Sequence, residues 1–140
     1  MPEISTAATC TLGSVPVVLE TGVPKDGDAA ASCRSYAAAL GSYRATFQEG
    51  WGRVTLEEEQ WTLRVRAGGS VDAAGHTGIT YHHCRVVDVA QDVLATLPHE
   101  LRHVQLGSGS DDHHGWCSTF APWEVTVLGV DERSYLGCPR

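Results

Sequence analysis

Apolar residues recur along the chain with two different periods. Steps of three and four residues from about 28 to 47 predict one long helix. From about residue 90 the helical period returns, and this second helix should begin within the turn before Pro98, or kink there, and end at Gly107. Alternation of apolar and polar residues, or a short apolar run, predicts strands at 16–20, 53–58, 61–66, 77–82 and 84–89.

This order of elements predicts an α+β fold. One mixed β-sheet would pack on the first helix, which backs it, and on the second helix. The chain has 140 residues, which is the size of one ordinary domain with its own hydrophobic core. We therefore expect a single domain over residues 1–140.

Charge and composition argue against several classes of protein. Ten basic and seventeen acidic residues give a net charge of −7, which disfavours binding to a nucleic acid. The apolar run at 15–19 is far shorter than the roughly 20 residues that a membrane span needs. Hydrophobic residues make up 42% of the chain, too many for a disordered protein. We expect a folded monomer without a membrane span.

The cysteines favour an oxidising compartment. No two of them form a Cys-x-x-Cys pair, so disulfides that close long loops are expected rather than a zinc knuckle. Two disulfides would leave one of the five over, and the sequence does not choose the pairing. Residues 1–6 lack the basic and apolar regions of a signal peptide. Either Met1 precedes an already processed, extracytoplasmic chain, or the protein is cytosolic with reduced thiols. The cysteines are Cys10, Cys33, Cys84, Cys117 and Cys138.

The second predicted helix carries a metal-binding pattern. His99 and His103 are four residues apart, which places their imidazoles on one helix face and lets both bind one ion. Glu100 directly follows the first histidine, where its carboxylate can reach a water on the metal without occupying the metal. This is the His-Glu-x-x-His arrangement of zinc hydrolases, in which zinc activates water and the glutamate accepts its proton.

A third protein ligand is expected in the loop after this helix, because a catalytic zinc site keeps three protein ligands and one open position. His113 and His114 are the preferred candidates, His113 slightly more so, since Gly107 and Gly109 let the chain fold back towards the helix. The acidic alternatives that stay open are Asp111, Asp112 and Glu124.

The motif and the order of elements resemble the zincin group of zinc metallopeptidases over most of the chain. The resemblance implies a minimal zincin-like domain with a Zn²⁺ cofactor, in which Glu100 is the general base for peptide-bond hydrolysis. It also implies that residues 78–82 form an edge strand to which a peptide or protein substrate adds in extended form. The continuation differs from metzincins, because Leu106 and Gly109 stand where that subgroup has glycine and histidine. Gluzincins have a glutamate ligand on a later helix. Glu124 stands at about the right distance, but it precedes a predicted strand and not a helix.

A hypothesis from a different class is a non-catalytic zincin-like module that binds zinc for structure or binds another protein. The chain has little material for the second subdomain that walls a zincin cleft, which supports this alternative. Glu100 favours catalysis, because a structural zinc site has no need of a base. Tyr81 and Tyr135 are candidates to stabilise an oxyanion. Three further histidines could line the cleft or bind a second metal, although polar loop or edge positions explain them more simply: His76, His82 and His83.

Overall fold

In the computed structural model, which describes residues 1–23, 27–51 and 55–107, one sheet and two α-helices account for the regular structure. A short 3₁₀ helix leads directly into the second α-helix. In chain order the elements are β1 (Thr6–Leu12), β2 (Val15–Glu20), α1 (Ala29–Trp51), β3 (Thr62–Arg66), β4 (Gly78–Tyr81), β5 (Val86–Ala90), the 3₁₀ helix (Gln91–Thr96) and α2 (Leu97–Leu106).

The five strands form one mixed sheet in the order β1-β2-β3-β5-β4. The central pairs β2–β3 and β3–β5 are parallel, whereas β1–β2 and β4–β5 are antiparallel. This arrangement confirms the predicted α+β class and the mixed sheet. It also places β4, the expected edge strand, at one edge of the sheet within the described residues.

One face of the sheet meets both helices. The strand register aligns alternate apolar side chains in rows across the sheet, for example Val17, Leu63 and Val87. These rows share a single buried core with the apolar side of α1 and of α2. Leu40 and Phe47 are fully buried on α1, and burial of such side chains is the main stabilising contribution, of about 1.5–3 kcal/mol each.

The opposite face of the sheet buries charge. Asp88 of β5 is fully buried and accepts hydrogen bonds from Arg64 Nη2 and from Arg66 Nη1, each at 2.7 Å. Arg64 also donates to the backbone oxygen of Pro2 at 3.0 Å, which ties the amino-terminal segment to this face. Because each of these contacts joins opposite charges or a charge and a carbonyl, the network avoids the large cost of an unpaired buried charge.

Two parts of the described chain differ from the sequence prediction. The strand predicted at 53–58 is wrong for its described part, because residues 56–60 form a turn in which Trp61 N–H donates to the Leu56 carbonyl at 2.9 Å. Three consecutive glutamates follow Leu56, so only one side chain of this stretch is apolar enough to be buried. The strand β1 was not predicted, because two of its three inward positions, Ala8 and Cys10, carry small side chains that give a weak apolar signal. The Gly13-Ser14 pair between two extended runs was the available hairpin signal.

A disulfide joins β1 to α1. Cys10 and Cys33 are bonded, with their Cα atoms 6.1 Å apart. This confirms the expectation of disulfide chemistry and selects one pairing that the sequence left open. Cys84 has no disulfide to another described residue, and Cys117 and Cys138 lie outside the described residues. Among the described helices, none has the length and apolar character needed to cross a bilayer.

Removing this disulfide should destabilise the protein by about 3 kcal/mol, because the bond closes a loop of 23 residues in the unfolded chain. The double variant Cys10→Ala, Cys33→Ala tests this in urea-induced unfolding. Thr9→Ser, an exposed change on the same strand, is the control and should shift stability by less than about 0.5 kcal/mol. Equal stability of the double variant and the wild type would show that the bond contributes nothing.

Candidate metal centre

The apolar side of α2 fixes the direction in which its polar residues point. Leu97, Leu101 and Val104 are buried in the core shared with the sheet and α1. Pro98 lies in the first turn, where its missing N–H costs no intrahelical hydrogen bond. The helix ends at Gly107, which has a positive φ of 80°. The predicted start near Pro98 and the predicted end at Gly107 are both confirmed. Burial of the apolar side fixes the rotation of the helix about its own axis.

The two histidines of α2 meet through the same ring nitrogen. Nε2 of His99 lies 3.2 Å from Nε2 of His103, and the ring centroids are 5.0 Å apart. His103 is buried at 4% exposure, whereas the side chain of His99 is 22% exposed and gives access from solvent. Two imidazole lone pairs repel each other at this distance, so a proton or a cation must lie between them.

The spacing of the two nitrogens fits a shared zinc ion. Nitrogens bound at 2.0–2.1 Å with tetrahedral angles are about 3.3–3.4 Å apart, close to the 3.2 Å between His99 and His103. Imidazole nitrogen together with carboxylate oxygen is also a donor set that zinc accepts. The spacing of the two nitrogens is therefore compatible with a shared divalent cation.

Glu100 completes the group from the side of the sheet. It is 4% exposed, and its Oε2 lies 3.9 Å from Nε2 of His99. The ligand atoms of His99, Glu100 and His103 all lie within 4.8 Å of one another. The three side chains therefore form one group that could hold a metal ion.

The edge strand β4 touches Glu100 directly. Thr80, which is 5% exposed, donates its hydroxyl hydrogen towards Oε1 of Glu100 at 2.8 Å and lies 3.2 Å from the Glu100 backbone oxygen. Gly78 lies on the same face of the strand, where a Cβ atom would come within 2.9 Å of Cγ of Glu100. Sequence reasoning missed both residues. The period of two predicts that they share a face, but not that this face meets the motif helix.

Tyr81 lies away from this group. Successive residues of a strand point to opposite faces, so Tyr81 faces away from α2 if Thr80 faces it. Its pKa is raised by burial and further by the negative charge of Asp88, which belongs to the face opposite the helices. The interpretation of Tyr81 as the oxyanion-stabilising hydroxyl therefore has no support from its position in the sheet.

The three described histidines outside the motif occupy loop positions. His76 binds Asp72 through Nδ1 at 2.6 Å and is 62% exposed. His82 meets Trp61 edge to face at 5.9 Å, and His83 meets Tyr81 in the same way at 6.2 Å. Within the described ranges, His99, Glu100 and His103 are the group of three side chains whose geometry could hold a metal ion.

The expected third ligand lies beyond the part of the chain that the structure describes. This holds for both preferred histidines, for all three acidic alternatives and for the second tyrosine candidate: His113, His114, Asp111, Asp112, Glu124 and Tyr135. Their roles stay predictions from the sequence.

No family model, curated protein or solved structure matches this chain. What the chain does must therefore be argued from its own residues, above all from the geometry on α2.

We expect the purified protein to bind about one zinc ion per chain, measured by elemental mass spectrometry after dialysis. His99→Ala and His103→Ala should each weaken zinc binding by more than about a hundredfold, because each removes a direct ligand. His76→Ala is the matched control, because it removes an exposed histidine from a loop outside α2. Wild-type protein that stays metal-free at micromolar zinc would mean that a proton bridges the two imidazoles.

Proposed function

We propose that the protein is a zincin-type zinc metallopeptidase that hydrolyses peptide bonds. The observation that carries the proposal is the convergence of three side chains on α2: two imidazole nitrogens 3.2 Å apart, with the buried carboxylate of Glu100 beside them. An α+β domain with a mixed sheet and the motif helix against its edge strand is consistent with the resemblance seen in the sequence.

The division of roles follows from the distances. His99 and His103 would hold the zinc ion, which when bound supplies a Lewis acid that acidifies water and polarises a carbonyl group. Glu100 would take the proton of the attacking water at Oε2, the oxygen that lies 3.9 Å from Nε2 of His99. The same carboxyl group would then deliver that proton to the leaving amine, which returns Glu100 to its ionised form.

An extended peptide or protein is the substrate class that the sheet edge supports. β4 pairs with β5 on one side, and no described strand pairs with its other side. A peptide that added there would gain main-chain hydrogen bonds and would pass close to Glu100, which Thr80 of the same strand contacts. The disulfide between Cys10 and Cys33 supports an extracytoplasmic location, because such bonds persist in oxidising compartments.

The alternative, a zincin-like module that binds zinc without catalysis, differs from this proposal in what it requires of Glu100. A structural zinc site is closed by four ligands, commonly cysteines, and needs no base. A carboxylate that is 4% exposed, with one oxygen held by Thr80 and the other turned towards His99, favours the catalytic proposal.

Glu100→Gln should keep zinc and lower the rate of peptide hydrolysis by about a hundredfold or more, because the amide cannot accept the proton of water. The assay is cleavage of casein and of a broad peptide library by zinc-loaded protein, with metal content measured on the same samples. His76→Ala serves as the active control.

Two results would overturn the proposal. Unchanged turnover in Glu100→Gln would remove Glu100 from the mechanism. A wild-type protein that binds zinc and cleaves no member of the library would favour the binding module.

A further inference from the structure

We propose that β4 positions the general base. Thr80 orients the carboxylate of Glu100, and the absence of a side chain at Gly78 leaves room for Glu100 against the strand. The catalytic consequence rests on the proposed peptidase function. The positioning itself is a property of the folded chain and can be measured without any substrate.

Thr80 holds one defined oxygen of the carboxylate. Its hydroxyl lies 2.8 Å from Oε1 of Glu100, and the contact is buried on both sides. The other oxygen, Oε2, is the atom that stands 3.9 Å from Nε2 of His99. A hydrogen bond to Oε1 therefore favours the orientation in which Oε2 lies towards His99.

Gly78 allows the side chain of Glu100 to lie against the strand. A Cβ atom at this position would lie 2.6 Å from Cγ2 of Thr96 and 2.9 Å from Cγ of Glu100. Both distances are shorter than carbon atoms tolerate, so any larger residue would push α2 or the Glu100 side chain away from β4. Glycine is required here by close approach and not by backbone conformation.

The two contacts remove the freedom that a glutamate normally has. A glutamate side chain has three rotatable bonds and loses up to about 2 kcal/mol of rotamer entropy when it is fixed. A catalytic group must be held within about 0.5 Å of its working position, and this requires neighbours that lock it. Because β4 is also the edge to which a peptide would add, one strand would align both the base and the substrate.

The test compares Thr80→Val, which removes the hydroxyl at nearly constant shape, with Thr80→Ser, which keeps it. Thr77→Val is the matched control, because it removes a hydroxyl directly before β4. This hydroxyl lies 2.8 Å from the hydroxyl of Thr96, which directly precedes α2. The first readout is the ¹³Cδ signal of Glu100 in zinc-loaded protein labelled in glutamate, assigned by its loss in Glu100→Gln. The second readout is kcat and KM for peptide hydrolysis.

We expect the Glu100 signal to move or split in Thr80→Val and to stay in place in Thr80→Ser and Thr77→Val. In Thr80→Val, kcat should fall about ten- to a hundredfold with KM nearly unchanged and zinc retained, the effect of losing a hydrogen bond to a charged group. Thr80→Ser should recover most of this loss. Gly78→Ala should displace the same signal by a steric route.

The outcomes separate the two proposals. An unmoved Glu100 signal in both Thr80→Val and Gly78→Ala would overturn the positioning role, whether or not the wild type cleaves peptides. A displaced signal in a protein that binds zinc but hydrolyses nothing would support the positioning role and overturn the peptidase.

Discussion

The close approach of α2 to β4 is the contact on which the arrangement of the site depends. The apolar stripe of α2 holds the helix on the core, and this fixes the direction of every polar residue it carries. Gly78 then lets the helix lie against the sheet edge with Glu100 between them. If the helix stood further out, the carboxylate would lose Thr80 and gain water. The histidine pair alone would still form, because it depends only on helical spacing.

Two buried polar groupings in this chain differ in how their charges are satisfied. On one face of the sheet, Asp88 is bonded to Arg64 and Arg66, so opposite charges compensate within the protein. On the other face, His99 and His103 turn the same kind of nitrogen towards each other. The pairing of opposite charges is enough to account for the first grouping as a structural feature of the sheet. A hydrogen bond between the two rings or a cation held by both would satisfy the second grouping, so the histidines, unlike the arginines, are candidates for metal binding.

Features that depend on residues close together in the chain could be predicted from the sequence, whereas features that depend on tertiary contacts could not. The helix from Leu97, its end at Gly107 and the meeting of the two imidazoles follow from spacing within a few residues, and they were predicted. The roles of Thr80 and Gly78 depend on which face of β4 meets α2, which is a tertiary fact. The sequence indicated β1 mainly through its hairpin turn, because the small side chains of Ala8 and Cys10 give a weak apolar alternation. The disulfide pairing could not be predicted, because the positions of the cysteines in the sequence do not choose among the possible pairs.

The candidate metal centre and the disulfide between Cys10 and Cys33 use donor atoms that do not interfere with each other. Zinc sites built from cysteine need thiolates, which an oxidising compartment converts to disulfides. Cys10 and Cys33 are committed to a bond between β1 and α1, at the opposite edge of the sheet from β4. The candidate metal centre instead uses imidazole nitrogen, which such a compartment leaves unchanged. The disulfide between Cys10 and Cys33 and a metal ion on His99 and His103 would therefore be compatible with the same redox conditions and would not compete for ligands.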